Sequence, residues 1–359
     1  MKKSLKCLVA ATASVISTGA IAANLENPLY MPKANEAYIK AGAAIMGKSV
    51  EGTQATKRKH RDGDVEFPVW RFTGDLGYGI TDRLDIHGRF GYTKDGEIDR
   101  KGMHRGRIGM TFRALTENYP LVLDLYADAY LSGISPMKGT YTPLGFNFDN
   151  YSNGRWGAIV GTRFGKTWNK FTLAGHVEYL QTFGNHNNKI KLDPNLRPLA
   201  EQFPAPNPLS NVTMTQLGFP DEISVDLRST HEGTAGFDMM YQANEKWSFG
   251  AGFEYVEHYN NGVKGIHSQL GEPNITGLGL TEEQQKALQS GVVQGLLAET
   301  NNMKDGWDEY ILKLSAAYQM TDSLQLATFF EYTFDDAQPM SQNATDFKME
   351  LGVRLNARF

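Results

Sequence analysis

Cysteine is nearly missing from this chain of 359 residues: the single one is Cys7. It lies in a leader-like opening, so no disulfide framework holds the remainder together. Past residue 22 there is also no apolar run of the roughly 20 residues that a membrane-crossing helix needs. An excess of positive charge is lacking too, with 36 basic residues against 40 acidic ones. That balance excludes the basic stripe of a nucleic-acid binder. The opening itself has three parts: basic MKKSLK, the apolar and small-residue run CLVAATASVISTGAIA, and Ala20-Ile21-Ala22 in the A-x-A form of a cleavage site. These predict a secretory signal peptide over residues 1–22, outside the folded protein. Lys2, Lys3 and Lys6 leave with it, so 33 of the 36 basic residues then face the 40 acidic ones, a formal charge of −7. Residues 23–35 read as a short periplasmic lead-in, and 36–359 as one β-domain.

What is abundant is alternation. From Phe347 to Phe359 the odd positions are Phe347, Met349, Leu351, Val353, Leu355, Ala357 and Phe359. Between them stand Lys348, Glu350, Gly352, Arg354, Asn356 and Arg358. A strand sends alternate side chains to opposite faces, so this segment has one apolar and one polar side. Twelve such segments are predicted, at 36–47, 67–79, 84–94, 106–116, 121–132, 155–166, 171–184, 232–243, 247–259, 307–319, 323–335 and 346–359. Their connections alternate. Short ones (ITDRL, TENYP, TWNKF, ANEKW, MTDSL) exchange with long ones at 48–66, 95–105, 133–154, 185–231, 260–306 and 336–345. A closed all-β antiparallel transmembrane barrel of about twelve strands has this rhythm, with short periplasmic turns and long extracellular loops. Trp70, Trp156 and Trp307 fall at the outer rim and Trp168 and Trp247 at the inner one, where interfacial aromatics gather.

The alternating last strand with its terminal Phe359 resembles the C-terminal signature of Gram-negative outer-membrane β-barrel proteins, the porin-like superfamily. The resemblance implies a place in the outer membrane, among its lipid and lipopolysaccharide. It also implies that the barrel-assembly machinery reads the last strand through Phe359.

Charges on the strands mark the lumen. An arginine or lysine facing lipid at mid-strand costs about 2–4 kcal/mol, so charges are expected to point inward. Lys40, Arg71, Arg89, Arg107, Arg113, Lys348 and Arg354 would form a basic wall. Asp124, Asp128, Glu178, Asp238, Glu254, Glu309 and Glu331 would form an acidic one, while Asp75, Asp85, Arg163, Lys313 and Glu350 break the pattern. Two arrangements fit: a transverse field over a hydrated channel, or ion pairs that fill a narrow lumen. The function expected is passive passage of small polar or ionic solutes. The alternatives are an outer-membrane enzyme and a closed barrel whose business is in its loops.

Two further segments carry signals. In LTEEQQKALQSGVVQGLLAETNN, Thr281 and Gln284 form a capping box, and Leu288, Val292 and Leu296 recur at helical spacing. A helix over about 282–299 is expected, over the mouth, in the lumen or against the rim. The other long loop, 185–231, is rich in Pro and Asn and is expected to be irregular. DNYSNGRWG resembles the His-x-Ser-Asn-Gly site of outer-membrane phospholipase A and the related site of lipid A deacylase. Ser152, Asn153 and Gly154 match, but Asn150 stands where the histidine must take the serine's proton, and an amide is no base near neutral pH. No enzyme is therefore expected. The histidines lack ligand spacing, so neither a metal nor a cofactor is expected.

Overall fold

The computed structural model describes residues 24–49, 65–95, 100–131, 156–184, 188–191, 194–200, 202–259, 263–302, 307–335 and 346–359. Twelve strands close into one barrel. In chain order they are β1 (Ala37–Ser49), β2 (Val65–Thr81), β3 (Leu84–Asp95), β4 (Arg100–Leu115), β5 (Val122–Leu131), β6 (Gly157–Trp168), β7 (Phe171–Thr182), β10 (His231–Gln242), β11 (Trp247–Tyr259), β13 (Trp307–Thr321), β14 (Leu324–Asp335) and β15 (Asp346–Arg358). Every predicted strand is present, all neighbours are antiparallel, and β15 returns to β1 with Ile39 opposite Ala357 and Ala43 opposite Val353. Phe359 completes the seam: its N–H donates to the Ala37 carbonyl at 2.9 Å, and its own carbonyl accepts from the Ala37 N–H at 3.0 Å.

The two faces separate as the alternation requires. Ile39, Leu76, Ile108, Val160, Leu326 and Val353 stand exposed on the outside, and Val353 is 51% accessible. Asp85, Thr111, Arg113, Asp124, Asp128 and Glu350 are buried inside. An apolar outside and a polar inside invert the pattern of a soluble domain, and a closed sheet leaves no backbone group unpaired in lipid. Trp70, Trp156, Trp168 and Trp247 are all exposed. Trp247 packs against Tyr318 with ring centres 4.9 Å apart.

The short turns are built by their side chains. Asn244 Oδ1 accepts from the N–H groups of Lys246 and Trp247, each at 2.9 Å. Thr81 Oγ1 accepts from the Arg83 N–H at 3.1 Å. Asn169 takes the left-handed conformation, φ 52°, that the tight β6–β7 turn needs.

Two expectations need correction. The connection at 95–105 is not all loop, because β4 begins at Arg100 and pairs Lys101 with Lys94 and Gly102 with Thr93. Alternation fades there, yet the backbone ladder continues. The loop at 185–231 is not simply irregular either. It contributes β8 (Asn188–Lys191) and β9 (Glu222–Leu227), and the loop after β11 adds β12 (Val263–Ile266), giving a second sheet in the order β12-β9-β8. The helix expected near 282–299 is α1 (Glu282–Asn302). Its capping box is made as predicted: Thr281 Oγ1 accepts from the Gln284 N–H at 3.3 Å, and Gln284 Oε1 accepts from the Thr281 N–H at 2.9 Å. Leu199, Val212, Met214, Leu217, Phe219, Ile223 and Ile275 bury against Val292 and Leu296 of α1. The two longest loops therefore share one core and form a folded extracellular cap. Among the described residues no helix is long and apolar enough to cross a membrane, which says nothing of strands.

Candidate functional site

The inward positions of the strands enclose a cavity of about 680 Å³. Lys40, Arg71, Arg89, Arg107, Asp128, Glu178, Asp238, Glu254, Glu309, Glu331 and Arg354 line it, as expected from the alternation. Arg113 and Asp124 lie below it, buried at the periplasmic end. The side chain of Lys348 lies outside the described residues. Among the described residues, none of the cap lines the cavity.

Ion pairs join the charged positions. Arg71 meets Glu350 at 2.5 Å and Arg89 meets Asp75 at 3.0 Å. Arg107 reaches from β4 to Glu178 on β7 at 2.8 Å and also faces Asp128 at 3.5 Å. Asp124 accepts from Arg113 at 2.8 Å and Arg163 at 2.6 Å. Lys313 pairs with Glu254. Three lumen histidines each bridge two carboxylates: His87 with Asp85 and Asp128, His176 with Asp238 and Glu254, His258 with Glu232 and Glu309. The alternation turns all three histidines inward, and Asp85 lies on the same face of β3 as His87, but the other carboxylate partners depend on which strands become neighbours. Among the described residues no group of three or more His, Asp or Glu is placed to hold a metal ion.

The floor of the cavity is the lead-in. Residues 24–32 fold back into the periplasmic end of the lumen, with Leu25, Leu29 and Met31 buried. Leu29 seats against Val122 and Ala174, inward positions at the starts of β5 and β7. Arg113 donates to the Leu29 carbonyl at 2.6 Å and Arg163 to the Tyr30 carbonyl at 3.4 Å. Asn24 Nδ2 donates to Gln242 Oε1 at 2.8 Å, and its Oδ1 accepts from Gln325 Nε2 at 2.8 Å. Glu26 faces Arg354 at 3.3 Å and Lys40 at 4.0 Å and accepts from Asn356 at 2.7 Å. Burial pushes the Glu26 carboxyl up, but Lys40, Arg354 and the Asn356 hydrogen bond together hold it below the ordinary carboxylate range. The lead-in turns into β1 against Gly79 of β2, whose N–H donates to the Glu36 carbonyl at 2.9 Å. A Cβ at Gly79 would lie 1.9 Å from the Lys33 carbonyl oxygen, so only glycine admits this close approach.

A closed sheet that is apolar outside and charged inside belongs in a membrane crossed by strands. This is a transmembrane β-barrel. No protein-family model matches the barrel's sequence, and no curated protein does. Solved structures do resemble it. An outer membrane channel from Pseudomonas putida F1 covers 96% of this chain and 100% of its own at 12% identity, with a TM-score of 0.49. The NanC porin covers 89% and 98% at 9% identity with a TM-score of 0.39, and Omp33 of Acinetobacter baumannii covers 92% and 100% at 8% with 0.34. At these identities the likeness is one of fold. The Ser152 motif and the expected signal peptide lie outside the described residues.

Proposed function

We propose that the barrel passes small polar or ionic solutes across the outer membrane, with the lumen charges setting selectivity. One observation carries the reading: a cavity of about 680 Å³, walled by charged side chains, inside a belt built for lipid. Among the described residues eleven Asp and Glu, seven Lys and Arg and two His side chains line that cavity. The surplus is negative, so cations are favoured over anions of similar size. The charges are too many for an apolar cargo. The lead-in at the floor makes the described conformation a restricted one.

Lipid and lipopolysaccharide are the surroundings this reading requires, and Phe359 is the residue we assign to recognition by the barrel-assembly machinery. We assign no catalysis, since Asn150 leaves Ser152 without a base.

Planar-bilayer recording of the purified barrel in a KCl gradient tests the reading. The expected reversal potential lies on the cation side, and it is preserved with larger currents when residues 24–32 are removed. Absence of current from both proteins would overturn the passage of ions. A second reading, a closed barrel that displays its cap, is favoured by the core shared between the two loops. It predicts silence from both proteins.

A further inference from the structure

Glu26 is the charged contact between the lead-in and the closing strands. Its partners come from both sides of the seam: Lys40 from β1, and Arg354 and Asn356 from β15. Asn356 is fully buried, and its Nδ2 reaches both Glu26 Oε1 and Gln325 Oε1. Lys40 also donates to the Leu25 carbonyl at 2.6 Å. Two cations and a buried amide donor thus converge on one carboxylate. Paired cations with an amide donor are the fittings of a carboxylate site.

This site is open to the cavity. Glu26, Lys40 and Arg354 all line it, as do Arg71 and Arg89 on the adjoining β2 and β3. Glu178, Asp238, Glu254, Glu309 and Glu331 line the same cavity, from β7 round to β14, the neighbour of β15. A bare anion meets repulsion from these carboxylates. A small solute with an ammonium beside its carboxylate meets a partner for each charge. Such a solute at the floor offers Lys40 and Arg354 the same group that Glu26 offers them.

We propose that Lys40, Arg354 and Asn356 form a carboxylate site filled from within by Glu26, and that a small zwitterionic carboxylate competes for it and releases the lead-in. The proposal rests on the channel reading for the solute's route to the floor. Ejection of Glu26 removes the charged contact, leaving the Leu29 socket, the Asn24 bonds to Gln242 and Gln325, and the grips of Lys40, Arg113 and Arg163 on backbone carbonyls. Release requires that these contacts alone let the segment exchange, which the labelling rate of a Leu29→Cys reporter reads directly.

The test uses the full chain in a Cys7→Ser background with Leu29→Cys as reporter. A thiol in that socket is shielded while the lead-in is docked. Labelling of the folded barrel by a membrane-impermeant maleimide is measured with glycine and with glycinamide chloride, at equal ionic strength. Glycinamide keeps the ammonium and lacks the carboxylate. Glycine is expected to accelerate labelling to a plateau, and glycinamide is not. Glu26→Gln should label about tenfold faster without any solute, the scale of a lost charge-assisted bond, and should no longer respond to glycine. Lys40→Met should abolish the glycine response as well. A Met31→Cys reporter repeats the measurement should the first substitution itself undock the segment. Equal rates in glycine and glycinamide, or no acceleration by either, overturn the proposal. Conductance separates the two readings. Current without a glycine effect on labelling leaves the channel standing and removes this site, whereas a glycine effect without current does the reverse.

Discussion

Val353 and Arg354 are neighbours in sequence and face opposite solvents. Val353 is half exposed to the lipid side, while Arg354 reaches Glu26 and stacks its guanidinium 4.9 Å from the Phe329 ring centre. Val353→Arg should therefore destabilise the barrel by about 2–4 kcal/mol, measured as the folding free energy into lipid vesicles. Val353→Leu should leave it nearly unchanged. Glu26 sets a pH dependence. Its carboxyl is held below the ordinary range in the folded protein, by more than burial raises it, through Lys40, Arg354 and Asn356 and against the like charge of Asp75. The carboxylate form is thus the one the lumen stabilises. Its contribution is complete above the unfolded value of about 4.3 and is lost as pH falls through the lower folded value. Amide exchange in residues 24–32 should rise over that acid window, and Glu26→Gln should remove the change. The face of each residue was legible in the period-two pattern. Its partner was not, because Arg107 and Glu178 stand 71 positions apart and only the strand order brings them together.

Elements were legible where their period was regular. The twelve barrel strands and α1 have one, and the Thr281–Gln284 cap marked the helix start correctly. The cap's other residues have none: Leu199, Val212, Met214, Leu217 and Phe219 follow no strand or helix spacing, and their common core exists only once α1 covers them. The lead-in was illegible for a similar reason. Its short run without periodicity is held by Lys40, Arg113, Arg163, Gln242, Gln325 and Asn356, side chains from six different strands. Since the cap core is separate from the barrel wall, damage to one should spare the other. Leu217 is completely buried, and Leu217→Ala should cost the cap about 2–5 kcal/mol. Limited proteolysis should then cut within 194–227 and 263–302, while the barrel strands stay protected and the conductance is unaltered.

At the scale of the whole molecule, the charge pattern in the lumen and the apolar pattern outside are two readings of one alternation. The alternation turned the charges inward and left open whether ion pairs would tie them together across the space; it carried no sign that the lead-in would join them. The current–voltage relation in a salt gradient reports the sum of those lumen charges. The seam has a further consequence. Residue 37 is joined by backbone bonds to residue 359, so the first strand to be made waits for the last. Until then the sheet stays open, and the backbone groups of β1 that face the seam have no mates. A chain that loses its final strand keeps eleven-twelfths of the staves and none of the enclosure: sealing is all or nothing, and a nonsense codon close to the end of the message is as damaging as one in its middle.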